Sequence, residues 1–158
     1  MIEAKIHKIL FGPDEDIETF ILNQIDLAKN NITMLVFWFT WKPIADKLNQ
    51  ATKRGVDVRM ILDSRSTEIK MKDVHPTNEV LIPNYLENCK VHIYNGELLH
   101  HKTILIDEDT VLTGTCNFFN ASINRHEENY MLIKSKQLKK QFEQRYEFLL
   151  RKSKEWTR

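Results

Sequence analysis

Residues 100–117 read HHKTILIDEDTVLTGTCN, and within them His100, Lys102, Gly114, Thr115 and Asn117 bring together the groups that a phosphate oxyanion needs. Lysine supplies full positive charge, threonine a hydroxyl, asparagine an amide donor, and histidine a nitrogen able to attack phosphorus or carry a proton. Residues 103–106 are apolar, rich in β-branched types, and end at the acidic turn Asp107-Glu108-Asp109. They read as a buried strand, with 111–113 as the strand returning from the turn. Alternation along a strand puts His100 and Lys102 on one face and His101 on the other, with Asp107 sharing the parity of His101. The hairpin then returns Gly114, Thr115 and Asn117 to the end where His100 sits. Gly114 is expected there to permit a tight turn close to a ligand.

Adjacent histidines near an aspartate also arise by chance on surfaces and in cores, and an isolated H-x-K says little. The downstream Gly-Thr-x-Asn, at hairpin spacing, turns the pair into a pocket. Zinc suits the string poorly, because ligands on opposite strand faces do not converge and no cysteine pair has ligand spacing. Displacement at a phosphodiester needs an in-line nucleophile, donors for the equatorial oxygens and an acid for the departing alcohol. One imidazole can be the nucleophile and another the acid. The string occurs once and no internal repeat supplies a second copy.

The run His100-x-Lys102, four residues, Asp107, six residues, Gly114-Thr115-x-Asn117 resembles the signature of the phospholipase D superfamily. The likeness extends to Asn120-Ala121-Ser122 and to Glu128 before the apolar run 130–133. Upstream, residues 32–39, Thr40, Pro43-Ile44-Ala45 and the run 53–59 resemble the first half of its small one-motif members. These are bacterial nuclease-like proteins, related to the mitochondrial cardiolipin hydrolase and piRNA-pathway nuclease. Thr115 stands where the family usually has serine, keeping the hydroxyl.

The resemblance implies an α/β fold with a mixed central β-sheet flanked by helices on both faces, in a single domain over residues 1–158. It implies that His100 forms a covalent phosphohistidine resolved by water, while a second His100 from a partner subunit protonates the leaving oxygen. Lys102 and Asn117 of both copies would hold the phosphate, on the two-fold axis of a homodimer. Glu128 is expected to orient an imidazole by accepting its other N–H. Asp107, Gly114 and Thr115 have supporting roles, and no metal or other cofactor is expected. The expected activity is metal-independent phosphodiester hydrolysis, foremost by an endonuclease acting on DNA or RNA. Phospholipase D or cardiolipin hydrolase activity is the alternative, and a catalytically silent nucleic-acid-binding module is a third class.

The elements that must position these groups alternate between strand and helix. Strands are expected at 6–11, 32–39, 56–62, 90–94 and 130–133. Helices are expected over 17–28, then from a Thr40 cap through Pro43 to Gly55, over 79–88 with an interruption at Pro83, and over 135–152. Such alternation implies a mixed α/β sandwich. At 158 residues the chain is one ordinary domain, and its four glycines and four prolines argue against a long linker.

Cys89 and Cys116 suit a reducing compartment better than a disulfide framework. The N-terminus lacks a leader pattern, so a cytoplasmic location is expected, or a periplasmic or secreted one if a leader has been removed. No stable membrane insertion is expected. The net charge of +1 does not by itself mark a polyanion binder. The basic stretch from Lys134 to Arg158 reads either as a solvated helix face or as a nucleic-acid contact. Arg59, Arg65, Lys70 and Lys72 are expected along a cleft wall. Trp41, Arg65 and Phe118 are the candidate substrate-binding residues, with Trp38 and Phe119 also flanking the site.

Overall fold

The structure, a computed structural model, describes residues 1–71 and 80–157, the side chain of Lys70 excepted. Its elements are β1 (Lys5–Gly12), α1 (Ile17–Leu27), β2 (Asn31–Val36), α2 (Lys42–Lys53), β3 (Asp57–Asp63), β4 (Lys70–Met71) and β5 (Val80–Leu81). There follow α3 (Ile82–Tyr85), β6 (Lys90–Tyr94), β7 (Lys102–Ile106), β8 (Thr110–Gly114), α4 (Asn120–Asn124), β9 (Glu128–Lys134), α5 (Lys136–Leu150) and β10 (Ser153–Glu155). Eight strands form one sheet in the order β1-β9-β8-β7-β2-β3-β6-β10, while β4 and β5 pair separately. β2, β3 and β6 run parallel, and the other neighbours are antiparallel. This is the mixed sheet expected from the sequence.

Helices cover both faces because each strand in the middle of the sheet is apolar on both sides. α1 places Ile17, Ile21 and Ile25 one turn apart, all fully buried, against Met34 and Val36 of β2 and the buried residues of α2. Each such side chain contributes about 1.5–3 kcal/mol through burial. On the opposite face Leu35 and Ile61 meet Tyr146 and Leu149 of α5. The Asp16 carboxylate caps α1 by accepting from Thr19 N–H, and Ser135 caps α5 by accepting from Leu138 N–H at 3.1 Å.

Several boundaries differ from expectation. β2 stops at Val36 because residues 37–40 leave the sheet to pair with 117–119, where Phe39 and Phe118 form a parallel bridge. Trp41, not Thr40, precedes α2, with Pro43 in its first turn. The expected helix at 79–88 begins outside the described residues, and its described part is the single turn α3, opened by Pro83. β10 was not anticipated: three residues after α5 pair with β6, and the N–H of Trp156 donates to Val91. No disulfide joins Cys89 to Cys116.

Candidate active site

Strand direction gathers the chemistry-bearing residues at one end of the sheet. The C-terminal ends of β2, β3 and β8 and the starts of β7 and β9 lie there, carrying Phe37, Asp63, Thr115, His100, Lys102 and Glu128. In sheets with parallel strands, loops leaving those ends line the usual crevice.

His100 and Lys102 part from His101 as strand parity requires. Lys102 pairs with Val36 and faces the α1–α2 side, buried. Its Nζ donates to the carbonyl oxygen of His100 at 2.7 Å and lies 5.3 Å from the centre of the Phe37 ring. Burial lowers its pKa from the ordinary 10.5, and the negative charge of Glu128 opposes that shift. His100 is exposed, its ring 4.9 Å from that of Phe37. His101 turns to the α5 face and meets Phe142 edge-on. Burial, with the charges of Arg145, Lys102 and His100, holds its pKa below 6.5.

Gly114 is needed for a reason other than ligand approach. A Cβ there would lie 2.1 Å from the carbonyl oxygen of Asn129, so the neighbouring backbone of β9 excludes every side chain. Next to it, Thr115 donates its hydroxyl to Oε2 of Glu128 at 2.5 Å and accepts the N–H of Asn129 at 3.0 Å. Ser122, buried in α4, donates to Oε1 of Glu128 at 2.5 Å and accepts the N–H of Asn117 at 2.8 Å. Glu128 is therefore clamped by two hydroxyls within the protomer. The imidazole nearest to it is that of His126, with Nδ1 3.9 Å from Oε1, rather than that of His100.

Oδ1 of Asn117 is buried and has no partner among the described residues. A half-turn of the amide puts its NH2 at the same spot, where a phosphate oxygen would accept. Cys116 contributes no nucleophile: burial, offset in part by its contact with the Ser122 hydroxyl and reinforced by Glu128, pushes its thiol up to about 12.

Asp107 lies at the far end of β7. It leaves the strand with φ 50°, and its carboxylate accepts the N–H groups of Lys29, Asn30 and Asn31 at 2.8–3.2 Å. It fastens the α1–β2 turn, and it does so through a kink rather than through strand parity.

The candidate substrate contacts fare differently. Phe118 is fully buried between Phe39 and Tyr130, so it packs the core and cannot meet a ligand. Trp41 packs half-buried against the main core, its indole N–H buried without a partner among the described residues. Arg65 is half-exposed and paired with the buried Asp63 at 2.9 Å. Arg59 is no cleft residue: it pairs with Glu147 at 2.9 Å and stacks on Tyr146. The side chain of Lys70 and all of Lys72 lie outside the described residues. Of the basic stretch, Lys134, Lys136 and Lys139 are paired with Asp109, Glu108 and Glu143.

Sequence reading missed Asp63, Ser66, Phe37 and Ser122. Ser66, buried, donates to the carbonyl of Phe37 at 2.5 Å and accepts from Phe39, fixing the turn that presents Phe37. A carboxylate closing an apolar strand was the available signal for Asp63.

The family described as "Cardiolipin synthase, PLD-like domain" matches residues 21–150. A protein named phospholipase D from Rickettsia felis is 30% identical over 139 residues, covering 86% of this chain, while the chain spans 65% of that relative's length. The minor cardiolipin synthase ClsB of Bacillus subtilis is 31% identical over 128 residues, 77% of this chain and 30% of that protein. Among solved structures, Nuc from Salmonella typhimurium, a phospholipase D family member, superposes with a TM-score of 0.86 at 26% identity, covering 99% of this chain and 100% of Nuc. The matched family region contains His100, Lys102, Asn117 and Glu128, and the fold agrees from end to end: the chain belongs to the phospholipase D superfamily.

Proposed function

We propose that this chain is a metal-independent phosphodiesterase that cleaves nucleic acid, acting as a homodimer with one composite site. The observation that carries the reading is the convergence at one sheet end of His100, Lys102 and Asn117, whose buried Oδ1 has no partner among the described residues. The end-to-end likeness to Nuc, a phospholipase D family member, supports its phosphodiesterase part.

In this mechanism a ring nitrogen of His100 attacks phosphorus in line, the P–O bond to the leaving alcohol breaks, and the protonated His100 of the partner subunit gives that oxygen its proton. Water then attacks the phosphohistidine, yielding a proton to the second imidazole and freeing His100. Lys102 and Asn117 of both copies stabilise the equatorial oxygens, the role a metal ion fills elsewhere.

A single motif per chain calls for a second copy. Phospholipid hydrolysis is the second reading, favoured by the relatives named phospholipase D. Purified protein and His100→Ala are tested on single-stranded DNA, duplex DNA, RNA and cardiolipin vesicles in excess EDTA, with mass measured by light scattering. Cleavage of a nucleic acid by a dimer supports the proposal. Abolition by EDTA with rescue by magnesium, full activity in a monomer, or turnover of cardiolipin alone overturns it.

A further inference from the structure

An arc of five rings borders the phosphate pocket. His100 meets Phe37 at 4.9 Å between ring centres, Phe37 meets Trp38 edge-on at 5.7 Å, Trp38 meets Phe119 at 5.7 Å, and Phe119 meets His126 edge-on at 6.0 Å. Both ends of the arc return to the catalytic groups. Phe37 lies beside Lys102, and His126 stands 3.9 Å from the carboxylate that Thr115 and Ser122 clamp.

The backbone explains why these rings face outward. Residues 37–40 and 117–119 run side by side, with the N–H of Phe118 donating to Trp38 at 3.0 Å and that of Thr40 donating to Phe118 at 2.9 Å. That pairing sends Phe39 and Phe118 into the core, where both are fully buried. It leaves Trp38 and Phe119 half-buried on the other side, between half-buried Phe37 and exposed His126. Single exposed rings are ordinary, but a contiguous run beside a polar pocket marks a binding surface.

We propose that Trp38 and Phe119, bracketed by Phe37 and His126, form a stacking subsite for the nucleobase next to the scissile phosphate. The inference rests on the nucleic-acid reading above and specifies an unpaired base. In a duplex both faces of a base are already stacked, so the platform serves a single strand or a base turned out of the helix. The arc is built of planar rings and ends in two imidazoles, whereas an acyl chain would need aliphatic walls.

The test compares one single-stranded oligonucleotide with a tetrahydrofuran abasic strand of the same length, both cleaved in EDTA. The wild type is expected to favour the base-bearing strand in kcat/KM by about ten-fold or more. Trp38→Leu and Phe119→Leu should bring that ratio close to one while leaving cleavage of the abasic strand nearly unchanged, which also certifies their folding. Trp38→Phe, the gentler replacement, should keep most of the preference. A wild-type ratio near one, a ratio that survives both leucine variants, or equal loss on both strands overturns the stacking subsite while leaving the nuclease reading intact. Hydrolysis of cardiolipin vesicles with neither strand cut overturns both.

Discussion

Asp63 Oδ2 accepts the backbone N–H of Leu99 at 2.9 Å, so the buried end of β3 holds the residue that precedes His100. The other oxygen of the carboxylate takes the N–H and the guanidinium of Arg65 at 3.0 and 2.9 Å. Asp63→Asn keeps the shape but leaves one acceptor where two are used. It should lower stability by about 1–3 kcal/mol and kcat by about ten-fold or more, with KM little changed, because misplacing a reacting group is costly. Urea denaturation and steady-state kinetics check this, and full kcat in the folded variant would show that the contact does not position His100.

His100→Ala should remove phosphodiesterase activity by more than about a thousand-fold, the scale of losing a nucleophile. His101→Gln should retain most of it, because His101 lies on the α5 face against Phe142. Kinetics of both variants on one substrate decide the matter. The reverse pattern would contradict the strand parity seen here.

The Lys102 ammonium should titrate below the ordinary lysine value of 10.5, since burial lowers its pKa. Glu128 opposes the shift, so Glu128→Gln should move the titration lower still. Carbon-13 NMR of labelled lysine side chains, followed from about pH 7 to about pH 11 in both proteins, reports the shift independently of any loss of activity. An unmoved titration would separate Glu128 from the charge state of Lys102.

Asp107→Asn tests a structural role. Burial alone would raise the pKa of Asp107, but three backbone N–H groups outweigh it and hold the carboxyl below its ordinary 3.8. A carboxylate with a depressed folded pKa stabilises the fold above its unfolded value and loses that contribution as pH falls through the folded one. Asparagine tolerates the positive φ, so the substitution isolates the charge. The variant should lose about 1 kcal/mol near neutrality, a deficit that shrinks below pH 3.8, with activity preserved. Urea denaturation across that range, beside an activity assay, is the measurement.

Local periodicity made part of this site legible. The faces of His100, Lys102 and His101 follow from alternation within one strand. Asp107 escaped the parity rule because φ 50° breaks the alternation. β10 went unread because three polar residues carry no period, and their partner β6 lies some sixty residues away. Phe118 and Phe119 are indistinguishable by type. Only the pairing of 37–40 with 117–119 assigns one to the core and the other to the surface.

By itself, the sequence determined which residues could do the chemistry, which strand face bore them, and to which superfamily their spacing belongs. Tertiary structure decided what each of them meets. It set Asp63 against Leu99, Ser122 and Thr115 against Glu128, and the backbone of β9 against Gly114. The division has a physical cause: alternation is set by covalent geometry over two residues. Strand order and the partners it creates are set by burial of apolar surface between segments far apart in the chain.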